Sequence, residues 1–383
     1  MTDQLIDLSK PEFWLVLLLA LVFVSPLRKP AYKSVAWSIA NCSFILLILQ
    51  WHGLVMILSV VTAYVILQGV GGSNRMLSTV MAAGILSSLF LIHKSPILSD
   101  FESFSITRRV LSVAGYSYIA LRMVEVLRAV FEKRYPPPSL VSTINYLTPF
   151  HMLAAGPIQS YDDFVSQPVR TEHINYSQFL SAVERIASGL FKKFVLAYLI
   201  QETFLTGFES TGLYFFIEVQ FFFLWLYLDF SAYSDIAVGI GYLLGISTPE
   251  NFNRPYLARN AIDFWERWHI TLSQFVKRNI FIPLQLYLNR RNEGKWPLLS
   301  ASIAFFVAFV ACGLWHDLTI NFLLWGAFHA LGLIVANLYR NYLKRKLGTK
   351  GVRIYLENKF ILILARILTY EFVAFSLVLL FYP

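Results

Sequence analysis

The chain has 383 residues, of which 57% are hydrophobic and 14% charged, and it carries a net charge of +9. A water-soluble domain has roughly 25% charged residues, so this composition excludes a soluble globular protein. The basic residues fall in short clusters between apolar runs, as in the cytoplasmic loops of membrane proteins, which sets nucleic-acid binding aside.

Crossing a bilayer takes about 20 mostly apolar residues. In chain order the sequence predicts such helices over 12–27, 34–51, 53–70, 76–93, 110–130, 178–200, 211–228, 297–315, 319–339 and 359–382. The first run has an acidic front (Asp3, Asp7, Glu12) and no small-residue cleavage site, so it reads as a retained helix and not a signal peptide. Segments 139–158 and 231–247 are apolar but interrupted by Gly, Pro or Asp, which suits re-entrant or bundle-buried backbone. Residues 248–296 are too charged for lipid and too aromatic for a free loop, and read as amphipathic helices at the cytoplasmic interface. The expectation is an all-α polytopic membrane protein, one domain over 1–383, with about ten to twelve transmembrane or re-entrant helices.

Basic residues set the orientation. Arg28, Lys29 and Lys33, then Glu132, Lys133 and Arg134, then the loop holding Arg340, Lys344, Arg345, Lys346, Lys350 and Arg353 are placed inside. The acidic N-terminus, residues 94–104 and Pro383 are placed outside.

Few residues suit chemistry. The two cysteines, Cys42 and Cys312, lie in apolar runs without CxxC spacing, so no metal or disulfide framework is expected. GVGGSNR at 69–75 lacks the Lys-Ser/Thr pair of a phosphate loop, and no GxSxG elbow occurs. His52, His93, His151 and His173, at the ends of apolar runs or in loops, read as interfacial or surface histidines. His269, in FWERWHITLS, is flanked by Phe264, Trp265 and Trp268, while Asp263 and Arg267, four apart, suit a local ion pair. His316 and Asp317 stand between two strongly apolar helices, where an ionisable group is expensive and therefore a functional candidate. His329, thirteen residues on, reads first as a bundle histidine bonded to a backbone carbonyl. Asp229 and Asp235, in YLDFSAYSD, could cap helices, bind cations or hold basic partners such as Arg267, and structural use is favoured.

Several motifs then occur in order: GYSYIALRMVEVLR at 115–128, LTPFHMLAAGPIQSYDDF at 147–164, LDFSAYSDIAVGIGYLLGISTPENFNRPY, DFWERWHITLSQF, IFIPL, GLWHD and WGAFHA. Over about 100–340 the chain resembles the membrane-bound O-acyltransferases. It is most similar to their bacterial branch, which holds the D-alanyl transfer protein of teichoic acids and the alginate O-acetylation membrane protein. The resemblance implies a funnel of helices around a central active site in the bacterial cytoplasmic membrane. It implies an acyl thioester donor from the cytoplasm, acetyl-CoA or an acyl carrier protein, with no bound cofactor. The acceptor is a hydroxyl of an extracytoplasmic polysaccharide or cell wall, reached directly or through a partner acyltransferase. The family's essential histidine falls on His316, its second functional histidine on His269, and a recurring position on His329. Supporting positions are Trp315, Asp317, Trp265, Trp268, Arg267, Asp229 and Asp235, with Lys277 and Arg278 at the donor entrance. Two departures are Asp317, where Gly is usual, and Glu266, where a basic residue is common. O-acetylation is the preferred expectation and D-alanyl transfer to teichoic acid the alternative. A proton-relaying transporter or a non-catalytic scaffold are the competing classes.

Overall fold

The computed structural model describes residues 8, 10–72, 75–94, 115–172, 174–205 and 212–381. Asp3, Asp7, the outer loop expected at 94–104 (save Lys94), residues 110–114 of the fifth expected span, and His173 lie outside the described residues, as do the side chains of His52 and His93. Every regular element among the described residues is helical. Among the described residues, six helices are long and apolar enough to cross a membrane.

The chain folds as two compact units, Met1–Phe191 with Ala232–Pro249 and Lys192–Ser231 with Glu250–Pro383. The first unit holds α1 (Pro11–Phe23), α2 (Pro30–Leu49), α3 (Trp51–Gly71), α4 (Arg75–Lys94), α5 (Tyr116–Phe131), α6 (Leu140–Leu147), α7 (Tyr161–Ser166) and α8 (Tyr176–Phe191). Successive helices α1 to α4 pack on one another, and α2 and α3 both pack on α6. Phe13, Trp37, Phe44 and Phe150 form an aromatic core there.

Segment 139–158 is the short helix α6 followed by a 3-10 turn at Phe150–Met152, and it is buried as expected. Side chains satisfy its irregular backbone, as a bilayer requires. Asn41 Oδ1 accepts from Phe150 N at 3.0 Å, and the fully buried Arg122 donates to the carbonyls of Leu147 and Pro157. His151 is not at a surface. It is 1% exposed and bonded to Thr248 at 3.0 Å.

The expected break between 211–228 and 231–247 is absent. A single helix, α10 (Leu213–Leu244), runs through both, with α9 (Tyr198–Phe204) before it. The carboxylates that suggested a break are neutralised sideways. Asp229 pairs with Lys193, and Asp235 accepts from Arg185 at 3.1 Å. Arg267, the basic partner expected for them, is bound to Asp263 at 2.6 Å. A paired charge no longer needs water, so the helix continues.

In the second unit the stretch 248–296 forms short helices, α11 (Ala261–Trp265), α12 (Ile270–Val276) and α13 (Ile282–Arg291). A π-turn at Lys277–Phe281 joins α12 to α13. Three apolar helices follow: α14 (Pro297–His316), α15 (Ile320–Glu357) and α16 (Lys359–Ser376). Helix α15 extends well beyond the expected 319–339 and is interrupted at Gly348, whose φ is 64°. Helices α14 and α15 approach backbone to backbone. A Cβ on Gly313 would lie 2.2 Å from the Phe322 carbonyl oxygen, and one on Gly326 2.4 Å from that of Phe309. Only glycine permits this approach, which lies three residues before His316 on one helix and next to Trp325 on the other.

Candidate active site

The chain reverses direction between α11 and α12 at Trp268 and His269. Asn260 caps α11 by accepting from the N–H groups of Ile262 and Asp263. Asn251 closes the turn: its side chain accepts from Thr271 N at 3.2 Å and its carbonyl from Ile270 N at 2.9 Å. His269, caught between them, has φ 42° and ψ 52°, a left-handed conformation that non-glycine residues adopt at a cost. Its ring lies edge-on to Phe230 at 4.7 Å. It is 3% exposed, and its Nε2 has no hydrogen-bond partner among the described residues. Burial first, and the neighbouring His316 second, push the imidazole well below its usual range, so His269 is neutral at physiological pH.

His316 ends α14. Its ring stacks on Phe322 at 5.8 Å, touches Trp315 at 4.8 Å and meets Trp325 edge-on at 5.6 Å. His329, 1% exposed on α15, accepts from Trp265 Nε1 at its Nδ1 (3.2 Å). Its Nε2 therefore carries the proton and donates to Ser376 Oγ at 2.9 Å, and that hydroxyl donates to the Val373 carbonyl at 2.6 Å. The backbone-carbonyl bond expected of His329 is replaced by these two side-chain bonds. Both ring nitrogens are occupied, so His329 has no lone pair left to act as a base.

The three histidines line one cavity of about 230 Å³ within the second unit. Trp265, Trp268, Trp325, Phe230 and Phe322 form much of its wall, and none of its lining residues is Asp, Glu, Lys or Arg. A second cavity of about 570 Å³ shares Trp265 in its lining with the first. It is rimmed by Lys277, Arg340 and Arg345 with Glu266, Asn337 and Asn341.

The sequence thus brings His316, His269, His329, Trp265 and Trp268 together. The other expected residues stand apart from the histidine cavity. Trp315 is not among the residues lining that cavity, although its ring meets that of His316 at 4.8 Å. Asp317 accepts from the Leu318 N–H at 2.9 Å. Arg267 holds Asp263, whose carboxyl burial would raise but whose bonds to Arg267 and Arg259 hold below the usual range. Asp229 lies outside the cavity lining, and Asp235 belongs to the first unit. Of the two residues expected at a donor entrance, Lys277 lines the basic cavity and Arg278 does not. Arg340 and Arg345, read in the sequence only as topology signals, join it there. Trp325 opens the WGAFHA motif but was given no role there, and Ser376 carried no sequence signal beyond lying in an apolar run. Among the described residues, no group of His, Cys, Asp and Glu is arranged to hold a metal.

The chain is similar to the teichoic acid D-alanyltransferase of Bacillus subtilis, with 26% identity over 298 residues, 75% of this chain and 73% of that protein. It is 34% identical to the peptidoglycan O-acetyltransferase of Helicobacter pylori over 216 residues, 53% of this chain and 40% of that protein. With the probable alginate O-acetylase of Pseudomonas aeruginosa the identity is 28% over 239 residues, 61% of this chain and 44% of that protein. The chain therefore spans less than half the length of these two O-acetyl-transferring relatives. The sequence model of the membrane-bound O-acyltransferase family matches residues 12–378, across both compact units. The chain belongs to the membrane-bound O-acyltransferase family and is a multi-pass membrane O-acyltransferase.

Proposed function

We propose that the protein moves an acetyl group from a cytoplasmic thioester to a hydroxyl of a cell-wall or exopolysaccharide acceptor outside a bacterial cytoplasmic membrane. The observation that carries this reading is the histidine cavity: small, aromatic, and without a charged lining residue. A D-alanyl ester brings an ammonium group, which an apolar cavity takes up only with an anionic partner. Acetyl needs none. The Bacillus subtilis relative, a teichoic acid D-alanyltransferase, favours D-alanyl transfer instead, so both donors belong in the test.

In this reading the donor's anionic portion, a coenzyme A or the phosphopantetheine arm of a carrier protein, sits against Lys277, Arg340 and Arg345. These residues fall on the cytoplasmic side by the positive-inside rule. The thioester reaches the histidine cavity past Trp265. His316 takes the proton of the acceptor hydroxyl, and neutral His269 orients the acyl group. A thioester is already activated, so positioning, a base and exclusion of water suffice. The acceptor is a free polysaccharide hydroxyl or that of a partner transferase outside the membrane.

The test is transfer from labelled acetyl and D-alanyl thioesters by purified protein in vesicles. Wild type is expected to use acetyl, and His316→Ala to lose about 10²–10⁴-fold in rate at normal yield. A well-folded His316→Ala protein with near-normal turnover overturns the assignment. Preference for the D-alanyl thioester overturns the choice of acyl group.

A further inference from the structure

The histidine cavity is walled by several hydrogen-bond donors, and most are already committed. The Trp265 N–H is given to His329 and the Ser376 O–H to Val373. The Trp325 N–H is not: Nε1 is buried and has no partner among the described residues, although the residue lines the cavity and is 8% exposed. A buried donor without an acceptor is destabilising, and such groups in native proteins call for an explanation. This one is held in place with some care. Gly326, next in sequence, brings α15 onto α14, and the indole stands perpendicular (89°) to the His316 ring at 5.6 Å.

We infer that Trp325 is a further catalytic residue, whose indole N–H hydrogen-bonds the carbonyl oxygen of the acyl thioester and holds the charge that develops there. The inference rests on the acyl-transfer reading above. The acceptor hydroxyl oxygen attacks the thioester carbonyl carbon, a C–O bond forms, and the carbonyl π pair moves onto oxygen. The hydroxyl proton passes to His316. The tetrahedral intermediate then carries an oxyanion in a cavity lined by no Lys or Arg, where the His316 imidazolium formed in the same step is its counter-charge and a fixed hydrogen-bond donor on the oxygen adds to it. Collapse re-forms the carbonyl and breaks the C–S bond, and the leaving thiolate takes the proton from His316. The products are the ester and a free thiol. An indole N–H suits the oxyanion because it donates but does not ionise near neutral pH. It therefore stabilises the intermediate without protonating it and stalling collapse. A donor fixed before the reaction is more effective than water, which must reorient.

Two replacements test this: Trp325→Phe, and Trp325→β-(3-benzothienyl)alanine, which keeps the indole's shape and lacks the N–H. Each is assayed for kcat and KM in thioester transfer, and for affinity toward a donor analogue with a thioether in place of the thioester. Loss of one such donor is expected to lower kcat by about 10²–10³-fold. Affinity for the thioether, which has no carbonyl oxygen, stays unchanged, and KM for the thioester changes far less than kcat. Should Trp325→Phe fold poorly, the benzothienyl protein, identical in bulk, decides. Full kcat in that protein, or equal losses in kcat and in thioether affinity, overturns the inference. A wild-type protein that releases no thiol from any acyl thioester instead overturns the acyl-transfer reading itself.

Discussion

Lowering the pH loads a proton onto any group that is neutral only because it is buried, and His269 is such a group. Its ordinary value is 6.5, and in the folded protein burial and His316 hold it well below that. Between the two values the unfolded chain binds more protons than the native one, so stability rises with pH and falls as pH drops below 6.5. Each pH unit in that window is worth about 1.4 kcal/mol, and the loss from about pH 7.5 to about pH 5.5 comes to about 1.4 kcal/mol. For a chain of this length that is a fall of roughly 2 °C in Tm. The assay compares thermal unfolding of wild type and His269→Asn in detergent across this range. Asparagine cannot titrate and tolerates a left-handed backbone. Other histidines contribute equally to both proteins, so the difference in slope isolates His269. Parallel curves for the two proteins would refute the argument, since His269 would then be reached by water and protonated in place.

Three further outcomes follow from the same geometry. Reversing charge at Arg340 and Arg345 together should raise the KM for an anionic thioester donor, with salt reducing the difference, and leave a short uncharged thioester unaffected. His329→Ala should lose less activity than His316→Ala, because both His329 nitrogens are spent on Trp265 and Ser376. A cysteine placed at Lys346 should be protected from a membrane-impermeant thiol reagent in intact cells, and labelling there would invert the orientation assigned from basic loops.

How far the sequence reached depended on whether a residue's meaning was local. Apolar length marked α2, α3, α14 and α16 because spanning is a property of the segment itself. Motif resemblance brought His269, His316 and His329 forward, and they line one cavity. The break expected near Asp229 was wrong because the partners that tame those carboxylates, Lys193 and Arg185, lie 36 and 50 residues away in sequence. His151 looked superficial for the same reason: its burial comes from Trp37 and Thr248. Arg340 and Arg345 read as topology markers because a charge cluster after an apolar run looks alike whether it faces solvent or rims a cavity. Trp325 stood at the head of the WGAFHA motif without a role, since an indole in a membrane helix signals no chemistry until its N–H is seen to lack a partner among the described residues.

The left-handed turn at His269 has a practical corollary. A histidine there is disfavoured by its own backbone, and it lines the histidine cavity despite that. His269→Asn, which relieves that conformation and removes the imidazole, should yield a protein that is both harder to melt and slower to turn over. Such a variant holds its thioester for longer than the native enzyme does. It is therefore the form best suited to capturing a donor complex, an arrested loading dock in which the cargo waits for a step that does not come.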